Sequence, residues 1–217
     1  MDRVTDGFIW PVRDPEWLPK LAITALILLI PIVGGINAIG WMLATLDRLR
    51  AGEERMAPAN LSYLGRGVRL FVVQLAYGVA VAGIAIMVYL PGLLIAINQG
   101  KGEGNPSLIA VAILLNLLAF GVATIGGLAL TFASPAIVLA TDRGGMAAGL
   151  DASSVWRRMR SNLNTTLIAG LMLIAASFVS SLGALVCIVG VLFTVAYALA
   201  IQAWIFHSYE LGSNAST

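Results

Sequence analysis

The sequence predicts an all-α fold: a polytopic integral membrane helical bundle of about five transmembrane helices, with interfacial and, as one alternative, re-entrant segments. Of the 217 residues, 59% are hydrophobic and only 11% are charged, whereas soluble domains carry about 25% charged residues. The longest uncharged run, residues 161–209, contains 49 residues. As one helix it would be about 74 Å long, against a hydrocarbon core of about 30 Å. We therefore predict two crossings here, with a reversal near residues 183–190.

Three regions divide the chain. Residues 1–20 are predicted to be an interfacial N-terminal segment, because Trp10 and Trp17 lie beside charged groups and Trp favours the headgroup layer. A frayed tail is the alternative. Residues 21–209 are predicted to form a single transmembrane domain, followed by a short tail at residues 210–217.

The first apolar run, residues 21–46, is long enough to span a bilayer with tilt. Its middle contains Pro31, Gly34, Gly35, Asn37 and Gly40, and proline and glycine both permit a bend. Two alternatives follow. The run is either one kinked span, which places the N-terminus outside, or a re-entrant hairpin, which places it inside. The single span is slightly favoured.

Two further uncharged runs cover residues 70–100 and 104–141. The segment between them, residues 98–106, is rich in Gly and Asn and predicts a loop. The second run is too long for one span, and Gly126-Gly127 and Ser134-Pro135 divide it. We expect one span over about residues 107–131, then a break and a partly buried or interfacial extension.

Most of the arginines lie in two loops. Residues 47–69 hold five arginines and residues 142–160 hold four, whereas the loop at 98–106 has only Lys101. Basic loops stay on the cytoplasmic side of membranes. We therefore predict a multi-pass protein of the cell membrane, with loops 47–69 and 142–160 in the cytoplasm.

The second arginine-rich loop, residues 142–160, contains a segment with an apolar face that could lie on the membrane surface. In the second loop, Leu150, Val155, Trp156 and Met159 can share one helix face, which is typical of a helix lying flat on the bilayer. Basic residues near anionic headgroups each contribute about 1 kcal/mol. The candidates for headgroup contact are Arg48, Arg50, Arg157, Arg158 and Arg160.

A short internal similarity links the two loops. The first apolar run ends in ATLDR at residues 44–48, and a later one ends in ATDR at residues 140–143. Two parallel repeats of span, loop and span would produce this, as repeated halves do in some transporters. A match of this length also arises by chance.

The sequence predicts no enzymatic activity, cofactor or metal site. The apolar runs contain no Asp, Glu, Lys or Arg, and intramembrane chemistry usually needs ionisable groups at depth. His207 and Glu210 could share a helix face, but one His and one carboxylate make a poor metal site. The arginines are not interleaved with aromatic residues in a soluble patch, which argues against nucleic acid as a partner.

Uncharged polar and helix-breaking residues in the apolar runs suggest one hypothesis about function. They could line a mid-membrane cavity of a channel or facilitator-type transporter, since broken helices in both halves mark transport sites. The candidate cavity-lining residues are Pro31, Gly34, Gly35, Asn37, Gln74, Asn116, Ser134 and Pro135. Such a protein would be oligomeric, because five short spans scarcely enclose a pore.

The alternative is a non-transporting membrane subunit or scaffold that binds a partner protein or anionic lipid. In either case the predicted partners are the lipid bilayer and a second copy of the chain or another membrane protein. The first hypothesis requires a water-accessible cavity, and the second a dry bundle.

Several short motifs resemble a known family of prokaryotic polytopic membrane proteins. They are RDPEWLPKL at residues 13–21, PIVG at 31–34, Gly40-Trp41, LRAG at 49–52, SPA at 134–136, and the pair Gly183 and Gly190. This pattern resembles the domain-of-unknown-function 4013 family over nearly the whole chain. Members typically have Gly-Tyr in place of Gly40-Trp41, and a Pro-Glu-Trp-like turn in place of residues 57–60. The resemblance implies architecture and no activity.

Overall fold

The computed structural model describes residues 5–99, 104–183 and 187–214. Within these residues the chain forms eight α-helices and no strand, which confirms the predicted all-α fold class. The helices are α1 (Asp6–Arg13), α2 (Trp17–Leu28), α3 (Val33–Arg50), α4 (Leu64–Gln99), α5 (Pro106–Leu150), α6 (Ala152–Ser161), α7 (Leu163–Leu182) and α8 (Cys187–Asn214).

Four of these helices are long and apolar enough to cross a membrane: α4, α5, α7 and the Gly190–Ser213 part of α8. The chain is therefore a multi-pass membrane protein in contact with the lipid bilayer. The predicted loop at 98–106 and the predicted reversal at 183–190 include residues 100–103 and 184–186, which lie outside the described residues.

The first apolar run forms a helical hairpin. Helix α2 has 12 residues, about 18 Å of helix, and the chain turns before α3 with Ile32 at a φ of 64°. The two helices pack against each other and against α8. A Cβ atom on Gly34 would lie 2.1 Å from the carbonyl oxygen of Ile27, so this close approach requires glycine. This packing agrees with the predicted hairpin and not with the slightly favoured single span, while re-entry into the membrane and the side of the N-terminus stay predictions.

Helix α5 is continuous through both predicted breaks. Residues 126–127 and 134–135 are helical, and the non-helical residue in α5 is Gly145, with a φ of 75°. The predicted break is therefore wrong, whereas the predicted partly buried extension is confirmed, since residues 135–139 are buried and 131–134 half-buried. A proline removes only one backbone hydrogen bond, and in lipid an open helix end leaves several polar groups unsatisfied. A continuous helix through Pro135 thus costs less than a break.

The chain divides into two compact units: Met1–Val73 with Thr131–Thr217, and Gln74–Leu130. In the first unit, α8 packs against α1, α2, α3 and α7. Its largest fully buried side chains include Trp10, Trp41, Phe206 and Tyr209, so the core of this unit is tightly filled with aromatic groups.

In the second unit, α4 and α5 pack together where Gly126 approaches Val81. Most of the large apolar side chains in this unit are exposed, including Val79, Met87 and Phe120. Apolar surface of this extent is typical of helices that face lipid or another membrane helix.

The first and last helices, α1 and α8, both belong to the first unit. Helix α1 packs on α8, and the Tyr197 hydroxyl donates to the Phe8 carbonyl oxygen at 2.5 Å. The N-terminal segment is thus a docked helix rather than a frayed tail. Helix α8 continues to Asn214, so the described part of the predicted tail at 210–217 is helical.

Candidate functional site

Six charged side chains from four helices meet in the first unit, and we call them the ion-pair cluster. They come from α3, the start of α4, the later part of α5 and the end of α8: Asp47, Arg50, Arg66, Asp142, Arg143 and Glu210. Three arginines face three carboxylates, so the formal charges of the cluster cancel.

Arg50 connects three of these helices. Its Nε donates to Glu210 Oε2 at 2.7 Å, and its Nη1 donates to Asp142 Oδ2 at 2.7 Å and to Asp47 Oδ1 at 3.0 Å. Burial alone would lower the pKa of Arg50, but the hydrogen bonds to Asp142 and Glu210 raise it above its usual value. Arg50 is therefore held in its charged form.

Arg66 bridges the two aspartates. Its Nη2 donates to Asp142 Oδ1 at 2.6 Å and to Asp47 Oδ1 at 3.1 Å. Burial alone would raise the pKa of Asp47, but hydrogen bonds from Arg66 and then Arg50 lower it. Asp47 and Asp142 are the aspartates of the ATLDR and ATDR segments, so the two similar segments supply carboxylates to the same two arginines.

The carboxylates of the cluster differ in burial. The side chains of Asp142 and Glu210 are 6% and 11% exposed, whereas that of Asp47 is 47% exposed. Glu210 also accepts a hydrogen bond from Arg143. A buried carboxylate without a partner is strongly destabilising. The arginines are therefore needed to stabilise the buried, charged side chains of Asp142 and Glu210.

A second buried ion pair fixes the N-terminal segment. Asp14 is fully buried, and its Oδ2 accepts hydrogen bonds from Lys20 Nζ and from the Met56 amide, both at 2.8 Å. Burial alone would raise the pKa of Asp14, but the bonds from Lys20 and from the Glu16 and Met56 amides lower it. We call Asp14, Lys20 and the Met56 amide the N-terminal clamp, because they join the start of α2 to the segment after α3.

Helix α6 begins at a well-formed N-cap. Asp151 Oδ1 accepts hydrogen bonds from the amides of Ser153 and Ser154 at 3.0 and 3.2 Å. Bonds from the Ser153 hydroxyl and the Ser154 amide lower the pKa of Asp151. The cap explains why a helix starts here, immediately after α5 ends.

The α6 arginines, Arg157, Arg158 and Arg160, form the second arginine group of the molecule. Val155 anchors the helix on its buried side, while Trp156 is 59% exposed. The Arg160 guanidinium lies 5.9 Å from the centroid of the Trp156 ring. Among the residues that the structure describes, Arg157 and Arg158 form no ion pair. Their charge is therefore available to a ligand.

Two adjoining clefts open beside the α6 arginines. The larger has a volume of about 340 Å³ and is lined by Arg157, Ser161 and Asn162, among others. The smaller has a volume of about 230 Å³ and includes Ala140, Ala148 and Val155. Both clefts are lined by Arg143, Ser154 and Arg158. Arg143 thus belongs to the ion-pair cluster and to the clefts at once.

The predicted cavity-lining residues of the first unit lie in different surroundings. Pro31 is exposed in the hairpin turn, Gly34 is buried and Gly35 is half-buried. Ser134 is half-buried and Pro135 is buried within continuous α5.

Asn37 is 1% exposed, and its Nδ2 donates to the Asn60 carbonyl oxygen at 2.8 Å. Its Oδ1 is buried and accepts no hydrogen bond within the described residues.

Gln74 and Asn116 belong to the second unit. Gln74 is exposed. Asn116 Nδ2 donates to the Ala112 carbonyl oxygen of its own helix at 2.8 Å, while Asn116 Oδ1 is buried and has no partner in the described part of the chain. The cavity that would join these eight residues stays a prediction.

The predicted headgroup arginines divide into two groups. Arg48 lies 3.5 Å from Glu53, and Arg50 is held by the carboxylates of the ion-pair cluster. The α6 arginines make no such pairs with the residues that the structure describes. Headgroup contact stays a prediction for all five.

Of the six residues of the ion-pair cluster, the sequence interpretation selected only Arg50 and missed the other five: Asp47, Arg66, Asp142, Arg143 and Glu210. Asp142 and Arg143 were assigned to a loop, and Glu210 to a tail. The signal that could have found them is the position of each carboxylate at the end of an uncharged run, next to an arginine-rich segment. Across residues 5–99, 104–183 and 187–214, no three His, Cys, Asp or Glu side chains are arranged to hold a metal ion.

Comparison with known proteins gives one match. The family model described as "Protein of unknown function (DUF4013)" matches residues 23–189, which is more than half of the chain. The matched range begins after the RDPEWLPKL motif and ends before Glu210. No curated protein and no solved structure matches the chain. The match agrees with the resemblance seen in the sequence motifs, and the chain belongs to the DUF4013 family.

Proposed function

We propose that this protein is a non-transporting integral membrane subunit or scaffold whose α6 end binds anionic lipid. The observation that supports this proposal is that the α6 arginines form no ion pair with any residue described in the structure. The arginines of the ion-pair cluster are neutralised by carboxylates from other helices. On α6 the nearest acidic side chain in sequence is Asp151, which caps the helix.

The binding free energy expected for three basic residues favours an anionic lipid surface as the ligand of α6. Three basic residues near an anionic leaflet contribute together about 3 kcal/mol, which corresponds to a change in affinity of about 100-fold. Trp156 is exposed beside Arg160, and tryptophan prefers the headgroup layer. Helix α6 thus combines an interfacial aromatic ring with uncompensated positive charge.

We also propose that the protein resides in the cell membrane, with residues 47–69 and 142–160 facing the cytoplasm. The support is the arginine content of both segments and the preference of basic loops for that side. Because the N-terminal clamp joins Asp14 to the Met56 amide, the N-terminal segment would face the same side. Enzymatic activity is not part of the proposal, since Asp14, Asp142 and Glu210 are each bound by a basic side chain.

The proposal can be tested by lipid retention. The full chain is purified in detergent, exposed to equal amounts of phosphatidylglycerol and phosphatidylcholine, and the retained lipid is measured by native mass spectrometry. Changing Arg157, Arg158 and Arg160 together to Gln should reduce phosphatidylglycerol retention by about 100-fold and leave phosphatidylcholine retention unchanged.

The matched control changes Arg55 to Gln. Arg55 is exposed and lies in the other arginine-rich segment, so this variant removes one positive charge away from α6. It should retain phosphatidylglycerol as the unaltered chain does. Equal retention by the triple variant and the unaltered chain would refute lipid binding through α6.

A channel or facilitator, working as an oligomer, is the second candidate function. The observation that favours it is the unpaired, buried Asn37 Oδ1, since a buried carbonyl oxygen of this kind is a site where water binds. The exposed apolar side chains of residues 74–130 offer a surface for self-association or for another membrane protein.

Cysteine labelling tests this candidate. In a variant without Cys187, Asn37→Cys and Ser134→Cys should each react with a water-soluble maleimide if both line a wet cavity. An Arg55→Cys variant is the positive control, because that position is exposed. Labelling of Arg55→Cys alone would reject the cavity.

A further inference from the structure

The two clefts beside α6 permit a more specific inference, which rests on the proposed lipid binding. We infer that the clefts form one site for an anionic phospholipid whose headgroup carries hydroxyl groups. Arg143 and Arg158 bind the phosphate, and Glu210 is a positioning residue for Arg143.

The two arginines reach the clefts from different helices. Arg143 lies on α5 and Arg158 on α6, and both line each cleft. Guanidinium groups bind phosphate oxygens through paired N–H donors in a fixed geometry. Arg157 lines the larger cleft as well. One phosphate between Arg143 and Arg158 would therefore neutralise the charge of Arg158, which has no carboxylate partner among the described residues.

Glu210 fixes the position of Arg143. One carboxylate oxygen of Glu210 accepts a bond from Arg143 Nη2, and the other accepts one from Arg50 Nε at 2.7 Å. Glu210 is itself buried, so it holds one edge of the Arg143 guanidinium. Arg143 also lines both clefts, and N–H groups of its guanidinium that no described residue engages can bind a ligand there.

The serines of the clefts favour a ligand that donates hydrogen bonds. The Ser154 hydroxyl donates to the Asp151 carbonyl oxygen at 3.0 Å, and the Ser161 hydroxyl donates to the Arg158 carbonyl oxygen at 2.9 Å. Each hydroxyl has thus used its only proton and offers lone pairs. Hydroxyl groups of a glycerol or other polyol headgroup can donate to them. An ammonium headgroup would be repelled by the arginines.

The smaller cleft indicates that the phosphate belongs to a lipid. Its walls include the apolar side chains of Ala140, Ala148 and Val155. A free phosphate gains nothing from such surface, whereas the glycerol ester region of a phospholipid buries apolar atoms there. The helices that supply these walls include α5, which is long and apolar enough to cross the membrane.

The experiment compares single variants of α6 in the full, detergent-solubilised chain. Phosphatidylglycerol binding is titrated by native mass spectrometry for Arg158→Gln, Arg158→Lys, the comparison variant Arg160→Gln and the control Arg55→Gln, whose exposed side chain lies outside α6. Arg160 stacks on Trp156 and does not line either cleft. We expect Arg158→Gln to weaken binding by about tenfold and Arg158→Lys by several-fold, because lysine keeps the charge but loses the paired donors. Arg160→Gln removes one α6 charge outside the clefts and should weaken binding less than Arg158→Gln does, by about two- to fivefold, and Arg55→Gln should leave binding unchanged.

Two ligand comparisons test the headgroup. Phosphatidic acid, which lacks the hydroxylated headgroup, should bind several-fold more weakly than phosphatidylglycerol. Glycerol phosphate without acyl chains should fail to compete at equal concentration. Equal binding of the two lipids would overturn the hydroxyl assignment, and effective competition by glycerol phosphate would overturn the lipid assignment.

The role of Glu210 is tested by a double-mutant cycle. Glu210→Gln should weaken phosphatidylglycerol binding in the otherwise unaltered chain but have no further effect in the Arg143→Gln background. An equal effect in both backgrounds would mean that Glu210 acts on the fold and not through Arg143.

The outcomes separate this inference from the proposed function. If Arg158→Gln and Arg160→Gln weaken binding equally, α6 binds lipid through diffuse charge, so the proposed function stands and the site is rejected. If neither variant nor the triple variant changes binding, both are rejected.

Discussion

The ion-pair cluster and the α6 arginines are both groups of arginines next to the ends of apolar helices, yet they differ in their partners. Asp47, Asp142 and Glu210 neutralise the arginines of the cluster, while Arg157 and Arg158 have no carboxylate partner in the described structure. An arginine-rich segment can therefore have either of two roles, ion pairing between helices or binding of a ligand. Buried carboxylates convert the first group into an interhelical connection, in which Arg143 also lines the clefts, and leave the charge of the second group to bind a ligand.

The largest expected effect is on the cluster. Changing Asp142 to Asn removes a carboxylate that is 6% exposed and receives bonds from Arg50 and Arg66. Two buried or half-buried guanidinium groups then lose their shared partner, which should cost about 3 kcal/mol of stability. We expect the apparent unfolding temperature in detergent to fall by about 5–10 °C.

The control for this prediction comes from the other arginine group. Arg157 is exposed and unpaired, so Arg157→Gln should leave the unfolding temperature unchanged within the error of the measurement. If Arg157→Gln lowers it as much as Asp142→Asn does, the proposed distinction between the two groups is wrong.

The second prediction concerns acid and compares two aspartates. The pKa of Asp14 lies below its usual value of 3.8. A lowered folded-state pKa means that the stability it contributes is fully present at neutral pH and is lost as the pH falls below about 4. Changing Asp14 to Asn should destabilise the protein at neutral pH and reduce the further loss on acidification.

Asp151→Asn is the comparison for this titration. The pKa of Asp151 is also lowered, but within the described residues the Asp151 carboxylate bonds to Ser153 and Ser154 in the first turn of α6, whereas Asp14 joins α2 to the Met56 amide. Unfolding temperatures measured across the acid range should therefore depend on Asp14 more than on Asp151. An unchanged acid response in Asp14→Asn would exclude the clamp as a source of acid sensitivity.

These pairings explain what the sequence could and could not predict. The uncharged runs predicted an all-α membrane protein. The spacing of Leu150, Val155, Trp156 and Met159 predicted one helix face; the last three residues lie on α6, whereas Leu150 ends α5, and a position on the membrane surface stays a prediction. The cluster escaped prediction because Arg50 reaches carboxylates 92 and 160 residues away. Distances along the chain of this size leave no periodic pattern. The ATLDR and ATDR segments were a sign of the cluster, since their aspartates share Arg50 and Arg66.

Prolines and glycines predicted helix breaks less reliably than the uncharged runs predicted helices. At residues 31–34 they correctly marked a turn, where Gly34 permits the close approach to Ile27. At Gly126-Gly127 and Pro135 they did not interrupt α5. The physical difference is that the α2–α3 turn is supported by packing of both helices on α8, whereas a break within α5 would leave backbone groups exposed to lipid.

The third prediction is that salt weakens lipid binding by the α6 arginines more than it weakens the stability provided by the ion-pair cluster. Raising the salt concentration from about 50 to about 500 mM should weaken phosphatidylglycerol binding by about tenfold, because the Debye length falls below the distance over which exposed charges attract headgroups. The unfolding temperature should change little, since buried ion pairs are screened less. Lipid titrations and thermal unfolding at both salt concentrations measure the two effects, and lipid binding that is independent of salt would contradict an electrostatic role for α6.

The smallest expected effect concerns the aromatic ring beside Arg160. The Arg160 guanidinium lies 5.9 Å from the Trp156 ring centroid, and an exposed cation–π contact contributes about 0.5–1 kcal/mol. Changing Trp156 to Ala removes this contact and an exposed interfacial ring, so phosphatidylglycerol binding should weaken by about two- to fivefold. Trp156→Phe keeps a ring and should lose less. Because Trp156 is exposed, neither variant should alter the unfolding temperature. If Trp156→Ala unfolds at a clearly lower temperature, the ring is part of the packed core, and α6 is held by the protein rather than by the bilayer surface.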